Sequence, residues 1–243
     1  MSAAAAAPQD LIAAEFDGLD GRALIERVLA DKRLGPIALV SSFGAEAAVL
    51  LALVAEAAPA TPVIFIDTLR HFGETLRYRD RLAARLGLGD VRSVTPDAAE
   101  VARRDPDLTL FQRDPDACCG LRKVEPLERA LAGFGGWITG RKRFQAATRA
   151  VLPAVEWAAG EGRFKINPLA NWSSDRVAAE FESRGLPHHP LEADGFLSIG
   201  CMPCTERVAP GADPRSGRWS GQGKTECGIH SPAHPVPTQV TPL

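Results

Sequence analysis

The sequence predicts an α/β fold built on a parallel sheet, and three observations carry that reading. Short, continuously apolar runs at Ile37–Val40 and Val63–Ile66 have the length and composition of strands buried on both faces. Each is followed by a turn and a helical pattern, at residues 45–58 and 74–86, so that strand, turn and helix repeat. Each run also ends on small or polar residues, Ser41-Ser42-Phe43-Gly44 and Asp67-Thr68, at the strand ends where open parallel sheets bind ligands.

The elements follow in order. Residues 1–7 are alanine-rich, lack the basic start and longer apolar core of an export signal, and read as a disordered lead-in. Leu11, Ile12, Phe16, Leu19, Leu24, Ile25, Val28 and Leu29 fall at helical spacing, interrupted near Gly18 and Gly21, which predicts short packing helices. Pro59 and Pro62 close the helix at 45–58, and Gly87 closes that at 74–86. Val91–Val94 supplies a third strand, followed by a helix over 98–103. Residues 105–116, with Pro106, Pro115 and four aspartates, predict an ordered loop. A helix is expected over 119–131, with Pro126 near a first turn or kinking it. Strands are expected at 137–140 and 163–169, and a last helix at 173–184, capped by Ser173 or Ser174 and stopped by Gly185. Periodicity fades beyond Pro187. This divides the chain into a domain over 1–206 and a C-terminal tail over 207–243, mobile at its proline-rich end, 232–243.

With 24% charged residues and a net charge of −2, the chain has no broad basic footprint for nucleic acid. No apolar run reaches the roughly 18 residues of a membrane span. Five cysteines without an export signal fit a reducing compartment, so the chain reads as soluble and cytoplasmic.

The cysteines carry the chemistry. Cys118 and Cys119 are adjacent, and one trans peptide holds their Cα atoms closer than a relaxed disulfide requires, so their partners lie elsewhere. Cys201-Met202-Pro203-Cys204 is a C-x-x-C turn. Cys118, Cys119, Cys201 and Cys204 together make a candidate four-thiolate site for zinc or an iron–sulfur cluster, which the sequence does not separate. The competing readings are a redox pair at Cys201 and Cys204, or buried small residues at Cys118 and Cys119 beside a C-x-x-C of its own. Cys227 then stands alone. Arg218, Lys224 and His230 give it the electropositive surroundings that lower a thiol's pKa, which makes it a candidate nucleophile.

Ser41, Ser42 and Gly44 form a turn whose backbone N–H groups suit an anion, and Asp67-Thr68 at the next strand end suits a ribose or base, together a nucleotide site. A capped tight turn is the plain alternative. Arg141, Lys142 and Arg143 end another strand and could neutralise a phosphate or sulfate, or form a solvated surface loop. Arg215 and Arg218 repeat the cationic theme in the tail.

At this point the residues resemble the assimilatory adenylylsulfate reductases of the sulfonucleotide reductase group. The matching stretches run in order: SSFGAEAAVL, FIDTLRHFGETL, CCGLRKVEPL, GRKRFQ, INPLANW, HPLEADGFLSIGCMPCT and RSGRWSGQGKTECGIH. The pairing of CC and C-x-x-C with a terminal E-C-G-I-H is specific. The resemblance implies a Rossmann-like fold akin to the adenine-nucleotide α-hydrolases and a [4Fe–4S] cluster on Cys118, Cys119, Cys201 and Cys204. It implies reduction of adenosine 5′-phosphosulfate to sulfite and AMP with thioredoxin as electron donor, through an S-sulfocysteine on Cys227. By motif, Lys123 would lie between cluster and substrate, Arg215 and Arg218 would hold the phosphosulfate with Arg141 and Lys142 assisting, and His230 would lie beside the nucleophile. Ser41, Ser42 and Gly44 would line the nucleotide site with Asp67 and Thr68 nearby. A homo-oligomer is compatible with the resemblance. The chain departs from the S-G-G-x-D-S loop of related pyrophosphatases, which disfavours ATP cleavage, and carries Ala47 and Leu69 where relatives carry a polar residue and glycine. The alternatives are a reductase of 3′-phosphoadenosine 5′-phosphosulfate, or one of dual specificity, and a zinc-stabilised nucleotide-binding module in which Cys227 is incidental.

Overall fold

The computed structural model describes residues 7–145, 149–220, 224 and 226–230. Two helices, α1 (Pro8–Ala14) and α2 (Gly21–Ala30), precede strand β1 (Ile37–Val40). There follow α3 (Ala47–Ala57), β2 (Val63–Ile66), α4 (Gly73–Leu86), β3 (Val91–Val94) and α5 (Ala98–Arg104). The loop expected at 105–116 contains two short helices, α6 (Leu110–Arg113) and α7 (Pro115–Cys119), the second capped by Asp114, whose carboxylate accepts from the Asp116 and Ala117 N–H groups.

The helix expected over 119–131 is not continuous. Residues Gly120–Val124 form a π turn, and α8 (Glu125–Ala130) follows. Pro126 has no N–H to give the carbonyl four residues earlier, and its ring crowds that carbonyl, so the helix widens just after the paired cysteines.

Strands β4 (Gly136–Ile138), β5 (Val155–Ala158) and β6 (Arg163–Ile166), then α9 (Ser174–Ser183), complete the described elements. Ser173 caps α9, its hydroxyl accepting from the Arg176 N–H at 3.1 Å. The six strands lie in the order β3-β2-β1-β4-β6-β5. All pairings are parallel except β5 with β6. The sheet is thus parallel as expected apart from one edge; β5, which the sequence reading did not include, is a hairpin partner for β6 across the turn at residues 159–162, where Gly162 takes a positive φ of 63°.

Alternation along the strands divides the core. Leu39 and Phe65 face one layer with Leu24, Ile25 and Val28 of α2, Leu51 and Val54 of α3, Tyr78 and Leu82 of α4, and Phe181 of α9. Ala38, Ile64, Ile66 and Trp137 face the other, against Leu127 and Leu131. Helix α3 is buried from Ala48 to Val54, as its nearly unbroken apolar sequence requires. Each such large side chain contributes about 1.5–3 kcal/mol by leaving water.

The chain runs from β1 outward through β2 and β3, then returns to place β4 on the other side of β1. The strand order therefore reverses between β1 and β4, which leaves a crevice beyond their carboxyl ends. No described helix is long and apolar enough to cross a membrane.

Candidate functional site

A cavity of about 460 Å³ fills that crevice. One wall comes from the end of β1: Ser41, Ser42, Gly44 and Glu46. The Ser41 hydroxyl accepts from the Phe43 N–H at 3.2 Å, closing a turn in which Phe43 takes a positive φ of 50°. The opposite wall comes from the end of β4: Thr139, Arg141, Lys142 and Gln145. Lys123 of the π turn and Arg215, Arg218, Glu226, Cys227 and His230 of the C-terminal segment close the space.

The cations here are arranged by partners rather than by their run in the sequence. Arg141 pairs with Glu156 on β5 and gives its Nε–H to Asn167 Oδ1 at 3.2 Å. Lys142 gives a hydrogen bond to Glu46 Oε2 at 2.8 Å, and Gln145 gives another to the same oxygen at 2.8 Å. Burial pushes the Lys142 ammonium below its ordinary pKa, with Glu46 opposing. Glu46 thus supplies a polar anchor in the loop where Ala47 supplies none. Arg143 gives its Nε–H to the Leu152 carbonyl and does not line the cavity. Arg149, not anticipated from sequence, is buried there and holds Glu226 in a two-point pair at 2.9 and 2.7 Å; Arg215 approaches the same carboxylate at 3.6 Å. Arg218 lies over the Trp219 ring and gives its Nε–H to the Cys204 carbonyl at 3.2 Å. It passes so close to Gly200 that a Cβ there would fall 2.3 Å from the guanidinium. Only glycine leaves that path open.

Asp67 and Thr68, expected near the nucleotide, do not line this cavity. The Asp67 carboxylate turns back to accept from the Leu69 N–H at 2.9 Å, supporting Leu69 at a positive φ of 58°, a conformation that favours glycine. Thr68 is fully buried, with its hydroxyl 3.2 Å from Cys201 Sγ and its carbonyl accepting from Arg122. The strand end points toward the cysteines because Met202 N–H bonds the Arg70 carbonyl at 2.7 Å and a β-bridge joins His71 to Cys201.

Cys118, Cys119, Cys201 and Cys204 line one small cavity, together with Arg70, Phe111, Arg122 and Lys123. None of the four is joined in a disulfide. Burial pushes the Cys118 thiol up to about 11 and raises Cys204, so thiolates at this site need a cationic group among them. Among the described residues no three His, Cys, Asp or Glu side chains are arranged to hold a single metal ion. Arg122 is held beside them by Asp105 at 2.7 Å, both side chains being almost wholly buried. Such a pair is strongly destabilised when one partner is lost.

Cys227 sits where the two cavities meet. It lines the large one, and its thiol neighbours Cys119, which lines the small one. The Cys119 thiol beside it holds Cys227 well below the usual thiol range against burial, with Lys123, the Ile229 N–H and Arg218 adding to the effect. Burial opposes the charge on Lys123, but the sulfurs of Cys201, Cys227 and Cys119 outweigh it and keep the ammonium protonated. Burial, then Arg141, Arg149, Lys165 and Arg215, hold His230 neutral.

Three ring nitrogens at the wall, His71 Nδ1, Trp137 Nε1 and His230 Nδ1, are buried with no hydrogen-bond partner among the described residues. His71 is fixed by donating from Nε2 to the Ile66 carbonyl at 3.0 Å. Unsatisfied buried polar atoms are costly, and their collection around one cavity is what a polar ligand site requires. Neither His71, Trp137, Glu46, Glu226 nor Arg149 was singled out from sequence. Glu46 and Glu226 flanked motifs already in view, but no local pattern joins Arg149 to Glu226 across 77 positions. The segment 232–243 lies outside the described residues.

Residues 36–207 match the phosphoadenosine phosphosulfate reductase domain. The chain is 51% identical to an adenosine 5′-phosphosulfate reductase of Mesorhizobium japonicum, over 91% of this chain and 89% of that one. It is 44% identical to a phosphoadenosine 5′-phosphosulfate reductase of Gloeobacter violaceus, over 80% and 82%. Among solved structures it is similar to a phosphoadenylyl-sulfate reductase of Candida auris in its phosphate complex, with a TM-score of 0.68, 27% identity, and coverage of 85% of this chain and 100% of that one.

Proposed function

The chain belongs to the phosphoadenosine phosphosulfate reductase domain family, and on that footing we propose that it reduces adenosine 5′-phosphosulfate to sulfite and AMP through an S-sulfocysteine on Cys227. The observation that carries the reading is the position of Cys227 at the junction of a cation-walled cavity and a four-cysteine cavity.

The nucleotide lies along Ser41, Ser42 and Gly44, beyond the end of β1. Lys123, Arg149, Arg215 and Arg218 face the phosphosulfate, with Lys142 behind them. Cations at these positions neutralise the anion on binding and the charge that develops on the departing phosphate oxygen. The Cys227 thiolate attacks sulfur; the S–S bond forms as the bond from sulfur to the phosphate oxygen breaks, and AMP leaves with the electron pair. A thiol of thioredoxin then attacks Cys227 Sγ, and sulfite departs with the electron pair of the S–S bond. The second thioredoxin thiol resolves the mixed disulfide and restores Cys227, so that the dithiol supplies both electrons.

Cys118, Cys119, Cys201 and Cys204 are proposed to hold a [4Fe–4S] cluster. Their donor set is all-thiolate, the ligand set that iron–sulfur clusters use, and the four line one small cavity. Bound there, the cluster would supply a fixed charge beside Lys123. Arg122 and Lys123 balance the charge of the thiolates.

The test is anaerobic mass spectrometry after mixing the protein with adenosine 5′-phosphosulfate and no thioredoxin. An adduct of about 80 Da on the Cys227 peptide is expected, the mass of a transferred sulfite on the nucleophile. No adduct in cluster-loaded protein overturns the two-step reading. A relative named for the 3′-phosphorylated substrate, at 44% identity, favours tolerance of that nucleotide as the second reading. Adduct yields from the two nucleotides at equal concentration decide between them.

A further inference from the structure

We infer that Trp137 is a positioning residue: its indole seats His230 and thereby holds the Cys227 sulfur at the junction of the two cavities. The inference rests on the reading of Cys227 as nucleophile.

Cys227 belongs to no helix or strand longer than a single turn, so its place has to be fixed by contacts around it. Upstream, Glu226 is held by Arg149 at two points. Downstream, residues Gly228–His230 form one 3₁₀ turn against the π turn, close enough that a Cβ on Gly228 would meet Val124 at 3.3 Å. Within that turn the His230 N–H donates to the Cys227 carbonyl at 3.3 Å, which couples the position of the imidazole to that of the cysteine. Ile229 packs on the small apolar layer under the sheet, beside Trp137. His230 lies flat on the indole, with ring centroids 5.6 Å apart and planes 6° from parallel.

The indole is the rigid partner. Trp137 is 1% exposed and sits in β4, hydrogen-bonded between β1 and β6. The Lys165 ammonium lies 5.7 Å from the same ring. The imidazole stacks as a neutral ring, in keeping with its burial and the four cations around it. The two anchors also differ in how they answer an anion. Arg149 lines the cavity, so an anionic substrate competes with Glu226 for it. The ring stack offers no cation for the anion to compete for.

The experiment is iodoacetamide alkylation of the substrate-free full-length protein, followed by mass spectrometry on the Cys227 peptide, in Trp137→Leu, Trp137→Phe, His230→Leu and His230→Phe. The leucine variants are expected to alkylate roughly 2- to 10-fold faster, the range a ring pair of this kind controls, while the phenylalanine variants stay near the parent rate. Turnover should fall in the leucine variants, with a smaller change in KM. His230→Leu alters only the tail turn and tests the same contact without touching the sheet. Unchanged alkylation in the leucine variants, an equal rise in the phenylalanine variants, or a rise that merely tracks a lowered unfolding midpoint would each overturn the seat. A protein that forms no adduct with adenosine 5′-phosphosulfate yet shows the ring-dependent alkylation overturns the functional reading and leaves the seat standing.

Discussion

The sheet and the C-terminal segment hold their residues in place by different physics. β1, β2 and β4 are fixed by ladders on both sides and by apolar layers on both faces, a distributed energy in which no single contact decides where Ser41 or Thr139 points. The segment from Ile199 onward has no strand and only single 3₁₀ turns among the described residues, and is held by particular pairs: Thr205 with Arg218, Arg149 with Glu226, Trp137 with His230. On the proposed function, the scaffold supplies the binding wall, while the segment carries Cys227 on a few contacts that are separate from the packing of the sheet. Local stability is drawn low where parts must move.

The largest expected effect separates chemistry from stability. Cys227→Ser should cut sulfite release by at least roughly 10³-fold, as removal of a nucleophile does, while the unfolding midpoint stays at the parent value. A large loss of stability would break the comparison, since it would make the tail part of the scaffold.

Leu51→Ala is the converse. Leu51 is fully buried in α3, and truncation should cost about 2–5 kcal/mol in denaturant unfolding. Cys227 alkylation below the unfolding transition should be unchanged. A parallel rise would show that the tail draws its position from the core.

The scaffold also carries an acid-sensitive joint. His189 is buried between α4 and the turn at residues 190–192, 3.1 Å from the Thr75 hydroxyl and tilted against the Tyr78 ring, and burial pushes its pKa down to about 4. Its folded value lies below its unfolded value near 6.5. The stability it permits is therefore fully present above pH 6.5 and lost as pH falls toward 4. Between pH 7 and 5 this group should cost about 1–2 kcal/mol. Comparing denaturant midpoints of the parent and His189→Asn at both pH values isolates it, because His71 and His230 are lowered too and remain in both proteins. An equal pH dependence in the two proteins would remove His189 from the account.

The smallest effect is at Leu69, whose positive φ is unfavourable for a side chain that is itself 59% exposed. Leu69→Gly should raise stability by no more than about 1 kcal/mol, since it relieves the left-handed strain but frees the unfolded chain. Any sizeable loss in thermal unfolding would show that the leucine side chain contributes packing at the turn.

Most strands and helices were legible because their signals are local: apolar runs of four residues, helical spacing of leucines, prolines and glycines at the ends. β5 escaped notice because its partner is a hairpin neighbour rather than the next member of a strand and helix repeat. The π turn escaped because Pro126 marks a break without saying how the backbone accommodates it.

For the site, the sequence by itself determined the ingredients: two pairs of cysteines, a separate Cys227 amid cations, and polar turns after β1 and β4. Each is a matter of residue type and spacing over a few positions. Only the tertiary structure decided which of them meet. It turned Thr68 toward Cys201, left Arg143 outside the cavity, joined Glu46 to Lys142 across 96 positions, and brought Arg149 and Trp137 to either side of Cys227. Such meetings depend on where a packed sheet places its strand ends, and that geometry is set by the burial of the whole core, which no short stretch of sequence contains.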